Sequence, residues 1–177
     1  TIVIDTLAPA APSGLHLSAA SDSGRSDTDG ITNVTSPIVF GDASNGTTVT
    51  LYVDNQLAGS ATSNGAWAIG AGTLTAGSYD LTGKSEDLAG NLSAASSAFT
   101  VVIDTVAPAA PSNVRLSAAS DSGISDSDGI TNITTPTAVG TAESGSQVSL
   151  FVDSKFAGEA TSAGSWSRER TRALDLG

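Results

Sequence analysis

The sequence contains a long internal duplication. When it is shifted by 99 residues, the segment from Ile2 to Trp67 aligns without a gap on the segment from Val101 to Trp166, and 41 of the 66 aligned positions are identical. A unit of about 100 residues can bury a core of its own, whereas the shorter units of solenoid proteins need their neighbours. The duplication therefore predicts independently folding domains joined end to end.

The same alignment sets the predicted domain boundaries. The first domain is expected over residues 1–103 and the second over residues 104–177. The second has no counterpart of residues 73–99, so it is predicted to be an incomplete domain without its last strands. Residues 167–177 also depart from the repeat and include Arg168, Arg170 and Arg172. This atypical tail is interpreted as a truncated or frameshifted end, and no binding role is assigned to it.

Period-two alternation of apolar residues indicates β-strands, and no segment has a sustained helical period. The alternating residues are Leu15 and Leu17; Val49, Leu51 and Val53; Trp67 and Ile69; Tyr79 and Leu81; and Phe99, Val101 and Ile103. Two further strands are expected at residues 37–41 and 57–62. About seven short strands per repeat predict an all-β, immunoglobulin-like sandwich of antiparallel strands. The pattern does not decide which of Ile38, Val39 and Phe40 faces the core.

Composition narrows the possible partners. The 177 residues carry 18 acidic and 7 basic side chains, a formal net charge of −11, so nucleic acid and anionic membranes would be repelled. There is no cysteine, which leaves out disulfides and thiolate metal sites. No apolar run approaches the roughly 20 residues that cross a bilayer, and no signal peptide is recognisable. The chain is interpreted as an excerpt of a longer secreted protein.

An acidic loop follows the first strand of each repeat. Its oxygen-bearing residues are Asp22, Asp27, Asp29 and Asn33 in the first repeat, and Asp121, Asp126, Asp128 and Asn132 in the second. Crowded carboxylates repel one another unless they are solvated, protonated or bridged by a cation. Calcium suits such a set because it takes six to eight oxygen ligands in flexible geometry. The alternative is a solvated turn in which Asp and Asn bond their own backbone.

Strand direction predicts where this loop lies. The first strand runs away from the start of the domain, so the acidic loop should reach the far end, where Asp104 follows the last strand. Asp104 is therefore expected to approach the loop carboxylates. By the same reasoning Asp5, Glu86, Asp87 and Asn91 should gather at the start of the domain. The linker from Ile103 to Pro111 has no glycine, which predicts a restricted orientation of consecutive domains.

Four segments resemble the bacterial immunoglobulin-like repeats of large biofilm and host-attachment adhesins, including those secreted by type I systems. They are IDTLAPAAPSGL, SDSGRSDTDGITNVTSP, TTVTLYVDNQLAGSATSNGAW and EDLAGNLSAASSAFTVVID. The resemblance implies an extracellular stalk on the bacterial surface, whose partners are neighbouring domains of the same polypeptide and whose distal ligand is bound elsewhere. It also implies calcium ions near the linkers, held by Asp5, Asp22, Asp27, Asp29 and Asp104, with Asp121, Asp126 and Asp128 as a second set.

Two other classes of function fit the sequence less well. A carbohydrate- or receptor-binding module would need exposed aromatic side chains, but Trp67 and Trp166 are expected in the core, and Phe151, the equivalent of Tyr52, indicates packing as much as recognition. An enzyme would need an activated base, yet the single histidine, His16, is replaced by arginine in the duplicate and lies on the outward phase of a strand. The prediction is a structural extender and not an enzyme.

Overall fold

A computed structural model describes residues 2–169, which form parts of two compact units, Thr1–Val106 and Ala107–Gly177. Every regular element in this range is a β-strand, and none of it forms a helix that could cross a bilayer. The first unit contains β1 (Ser13–Leu17), β2 (Ile31–Thr32), β3 (Ile38–Asp42), β4 (Thr48–Val53), β5 (Gln56–Thr62), β6 (Ala66–Gly70), β7 (Gly77–Glu86) and β8 (Phe99–Ile103). The second contains β9 (Ser112–Leu116), β10 (Thr137–Thr141), β11 (Gln147–Val152), β12 (Lys155–Thr161) and β13 (Ser165–Glu169).

The first unit consists of two sheets. One has the order β1-β3-β6, and the other has the order β2-β8-β7-β4-β5. All pairs are antiparallel except that of β2 with β8. Inward-facing apolar residues of both sheets form one core, which contains Leu17, Val39, Val49, Leu51, Val53, Trp67, Ile69, Ala71, Leu81, Val101 and Ile103. The predicted immunoglobulin-like sandwich is confirmed.

The alternation that predicts the strands also describes which side chains are buried. Along β4, Val49, Leu51 and Val53 are buried while the residues between them are half-buried. In β3 the inward residue is Val39, and Ile38 lies exposed on the opposite face. The structure thus shows that Val39 faces the core, which the sequence pattern does not decide. At the second repeat the smaller Ala138 takes the place of Val39.

The hairpins follow from turn chemistry. Asp54 and Asn55, between β4 and β5, both have positive φ angles, of 46° and 63°. Two consecutive left-handed residues are the requirement of a type I′ turn, whose twist suits a two-residue hairpin. Asp153 and Ser154 repeat the arrangement between β11 and β12, with φ angles of 50° and 62°. The duplication therefore extends to backbone conformation.

The second unit repeats β1 and β3–β6 but is less well packed. Its described strands form the sheet β13-β10-β9 and the hairpin β11-β12. Within residues 107–169 there is no counterpart of β7 or β8. Arg168 stands where the first repeat has the buried Ile69, and its Nε atom is buried without a hydrogen-bond partner. The other predicted tail residues, Arg170 and Arg172, lie outside the described range.

Candidate functional site

Asp22 is the one aspartate of the first acidic loop whose side chain is buried, with 4% of its surface exposed. Its Oδ2 atom accepts a hydrogen bond from the backbone N–H of Gly30 at 3.2 Å, and its Oδ1 atom is buried without a partner. Asp121 repeats this arrangement, accepting from Gly129 at 3.1 Å with an unpartnered Oδ1. A buried carboxylate oxygen without a hydrogen-bond partner is energetically costly. Because it occurs in both repeats, Asp22 and Asp121 are the candidate site residues of the two loops.

The other loop aspartates point elsewhere. Asp29 is exposed and its Oδ1 accepts from the N–H of Ile31 at 3.0 Å, a local turn bond that Asp128 repeats. Asp27 and Asp126 are exposed. Over residues 2–169, no group of three or more acidic or histidine side chains is placed so that it could hold a metal ion. The calcium site predicted from the loop stays a prediction. Asp29 and Asp128 make the local turn of the alternative interpretation, in which an aspartate bonds its own backbone.

Asp104 lies beside the second half of the loop. Its backbone N–H donates to the carbonyl of Thr32 at 2.8 Å, which continues the parallel pairing of β2 with β8. Together with Ser23, Gly24, Ile31, Thr32 and Asn33 it lines a cavity of about 190 Å³. Asp104 Oδ1 accepts from the N–H of Val106 at 2.9 Å. The structure thus brings Asp104 to the Asn33 side of the loop.

Asn33 belongs to a hydrogen-bond network that the sequence reasoning missed. Ser23 Oγ donates to Asn33 Oδ1 at 2.8 Å and accepts from the Asn33 backbone N–H at 2.9 Å. Ser122 and Asn132 make the same two contacts in the second unit, at 2.8 and 2.9 Å. The available signal was that both serines and both asparagines occupy identical positions of the repeat. This network closes the loop through uncharged groups.

At the opposite end of the first unit, Asn91 joins two predicted residues. Its Nδ2 donates to the backbone carbonyl of Asp5 at 3.2 Å and to Asp87 Oδ2 at 2.9 Å. Asp5 Oδ1 accepts from the N–H of Leu7 at 3.0 Å, the same local turn that Asp104 makes with Val106. Asp5, Asp87 and Asn91 are therefore gathered as predicted, and Glu86 adjoins them through a β-bridge to Leu92.

Hydrogen bonding lowers the pKa of Asp87 below its ordinary value of 3.8. The largest cause is the side chain of Asn91, followed by the Asn91 backbone N–H, and the N–H groups of Ala89 and Gly90 act in the same direction. All of these donors favour the charged carboxylate. Desolvation acts in the opposite direction and is outweighed.

Comparison with known proteins bears on the whole chain. The bacterial Ig-like domain family matches residues 8–105 and 108–177. The chain belongs to this family. Two solved structures resemble it: a central fibronectin-III array of RIM-binding protein, at 18% identity and a TM-score of 0.36, and a structure described as giving insight into host cell surface retention of a 1.5-MDa bacterial ice-binding adhesin, at 21% identity and a TM-score of 0.29.

The first of these matches covers 92% of this chain and 56% of the other, and the second covers 76% and 46%. The chain thus spans about half the length of the structures that it matches. A search of curated proteins gave no match.

Both bacterial Ig-like units bury their tryptophan. Trp67 and Trp166 are buried, as predicted, and take equivalent places in the two repeats. Gly41 and Gly140 face these two rings so closely that a Cβ at either glycine would lie 2.5 and 2.8 Å from a ring atom. His16 is exposed on β1 and stacks on Phe40, with ring centroids 5.9 Å apart. These aromatic rings therefore serve packing.

Proposed function

We propose that this chain is a spacer segment of a bacterial cell-surface adhesin, in which consecutive Ig-like domains extend a binding module away from the cell. The observation that carries the proposal is that one family matches two successive stretches, residues 8–105 and 108–177, which are joined by a linker without glycine. Domains with separate cores and a short connection make an extended chain of limited flexibility. The role is structural and extracellular, and it involves no catalysis.

The residue after the last strand supports a defined junction. Asp104 donates its backbone N–H to the carbonyl of Thr32 in the preceding repeat, and Asp5, its equivalent 99 residues earlier, accepts through its carbonyl from Asn91 of the repeat that it opens. In an array of complete repeats, one aspartate of this kind would contact the domain that it leaves and the domain that it opens. Such double anchoring restricts the linker before any ion binds.

Calcium is proposed to stiffen the junction further. The support is the buried, unpartnered Oδ1 atom that Asp22 and Asp121 present in both repeats, in a loop rich in carboxylate and carbonyl oxygens. The other oxygen-bearing side chains of this loop are Asp27, Asp29 and Asn33, and an ion would have to draw them from their exposed positions towards Asp22. Extracellular calcium modules bind at about 0.1–1 mM, so millimolar calcium would stabilise the bound state by roughly 1–3 kcal/mol per site.

Small-angle X-ray scattering of residues 1–103 fused directly to a second copy of residues 5–103, so that Asp5 follows Ile103 as Asp104 does in the chain, tests the spacer proposal. The fusion is expected to be longer and less variable in its dimensions with millimolar calcium than with a chelator. A matched fusion with Asp22→Asn in both copies should give the chelator result under both conditions. Equal dimensions of the parent fusion with calcium and with chelator would contradict calcium stiffening, and a compact, collapsed pair would contradict the spacer role.

A second candidate function is recognition of a carbohydrate or receptor. Phe151 and Phe156 are 58% and 60% exposed and stand edge to face, with centroids 5.8 Å apart. Exposed aromatic faces can stack on sugar rings. A glycan-array signal that is lost on Phe151→Ser and kept on the outward control Ser149→Ala would favour this function over the spacer role.

A further inference from the structure

The chain enters and leaves the first unit at opposite ends of β7. In the loop after β7, Asn91 Nδ2 donates to the carbonyl of Asp5 at 3.2 Å, which places the entry there. At the other end Gly77, the first residue of β7, pairs with Ile103, the last residue of β8. β7 has ten residues and is therefore about 30 Å long. Tension applied to the two chain ends acts along the strands of this unit.

β8, at the exit, is held along both of its edges. β7 pairs with all five of its residues, and β2 pairs with the other edge. The Val102 N–H donates to the carbonyl of Gly30, and the Asp104 N–H donates to that of Thr32, both at 2.8 Å. Hydrogen bonds of a sheet lie across the strand direction. A pull along β8 therefore loads these bonds together instead of one after another.

β1, at the entry, is held less firmly. It is the edge strand of its sheet, with β3 as its neighbour. Its register on β3 shifts between Ser13 and His16, so the pairing is irregular. At its end Leu17 is buried in the core. Because β1 is held along one edge and β8 along two, β1 is expected to detach first.

Once β1 has detached, the pull reaches β2 through the acidic loop. Two residues tie this loop to β2 and its surroundings: Asp22 Oδ2 accepts from the Gly30 N–H at 3.2 Å, and Ser23 Oγ bonds the side chain and backbone of Asn33 at 2.8 and 2.9 Å. β2 is parallel to β8. Pulling β2 towards the entry and β8 towards the exit makes the two strands slide against each other, which their bonds resist together.

We propose that the first unit lengthens under tension in two steps. β1 detaches first and releases a short length of chain, while the β2–β8 pair, tied to the loop by Asp22 and Ser23, keeps the rest of the sandwich folded. Such a unit yields to a brief pull without losing its core. The inference rests on the proposed spacer role, because a spacer is pulled from both ends. A single-step response would leave that role intact, and the scattering test of that role does not depend on this response.

The test stretches the whole chain in optical tweezers. The sequence has no cysteine, so Thr6→Cys and Val106→Cys, at two exposed positions, attach DNA handles on either side of the first unit. A chelator is present so that ion binding takes no part. The first step should release at most about 55 Å, the reach of the roughly 16 residues from Thr6 to Asp22. Leu17→Ala should lower the force of this step and not of the second, since β1 has already left.

The tie between loop and β2 has its own variants. Asp22→Ala with Ser23→Ala should lengthen the first step by up to about 27 Å, because the chain is then held only from Gly30 onwards. Ser26→Ala with Asp27→Ala is the matched control in the same loop, since Asp27 is exposed and Ser26 bonds a neighbouring loop residue. The control should keep the length of the parent chain.

Val102→Pro removes the N–H that Gly30 accepts and should merge the two steps into one. If this variant does not fold, the two loop variants still decide. A single step in the parent chain would overturn the proposal. So would first steps of equal length in the Asp22 and Ser23 double variant and in its control.

Discussion

The carbonyl oxygen of Gly30 accepts a hydrogen bond from the backbone N–H of Val102 at 2.8 Å. This bond is the first of the parallel pairing between β2 and β8, and it attaches the acidic loop to the last strand of the first unit. Gly30 has a φ angle of 74°, and a Cβ added to it would lie 2.8 Å from the carbonyl oxygen of Thr100. Only glycine suits this close approach.

Gly30→Ala should therefore release the loop from β8. The left-handed backbone alone costs an L-residue about 1–2 kcal/mol, and the contact with Thr100 adds to this. Hydrogen exchange of the Val102 amide should accelerate about tenfold or more. Gly129→Ala is the matched control, because Gly129 has a φ angle of 76° but nothing lies within 4 Å of the Cβ that alanine would add. Unchanged exchange of the Val102 amide in Gly30→Ala, or an equal loss of unfolding free energy by the first unit in Gly30→Ala and by the second in Gly129→Ala, would contradict the account.

The two repeats should differ in their response to the same core truncation. Leu51 is fully buried between the sheets, and Leu150 is half-buried. Leu51→Ala should destabilise the first unit by about 2–5 kcal/mol, and Leu150→Ala should cost the second about 1–2 kcal/mol. Urea unfolding followed by Trp67 in a Trp166→Phe background, and by Trp166 in a Trp67→Phe background, separates the units. Equal losses would show that both cores are equally closed.

Asn91→Ala should raise the pKa of Asp87 towards its ordinary value, because the Asn91 side chain is the largest cause of the lowering. A carboxyl group with a lower pKa in the folded state favours folding above its ordinary pKa. That contribution is lost as the pH falls through the lowered value. The variant should lose part of this contribution already at neutral pH. Carboxyl-carbon NMR titration measures the shift, and an unchanged Asp87 midpoint would contradict the assignment.

Much of the fold could be predicted from the sequence because burial follows strict alternation at Val49, Leu51 and Val53. β2 could not be predicted from the sequence, because two residues are too few to show an alternating pattern. This strand is defined only by its hydrogen bonds to β8. At the candidate site, Asp5, Asp87 and Asn91 are brought together by topology as expected. The spacing of the loop aspartates could not show which of them is buried and which is exposed. Asp22 is buried under Gly30 and Asp29 caps its own turn, a difference that depends on local backbone geometry.

Calcium titration by calorimetry tests the central claim most directly. The wild-type chain should bind calcium with a Kd of about 0.1–1 mM, and Asp22→Asn with Asp121→Asn should weaken binding at least about tenfold. Asp42→Asn, the same charge change at an exposed residue outside the loops, is the control and should bind as the wild type does. Absence of calcium binding to the wild-type chain, or equal affinity of the double variant, would contradict the account.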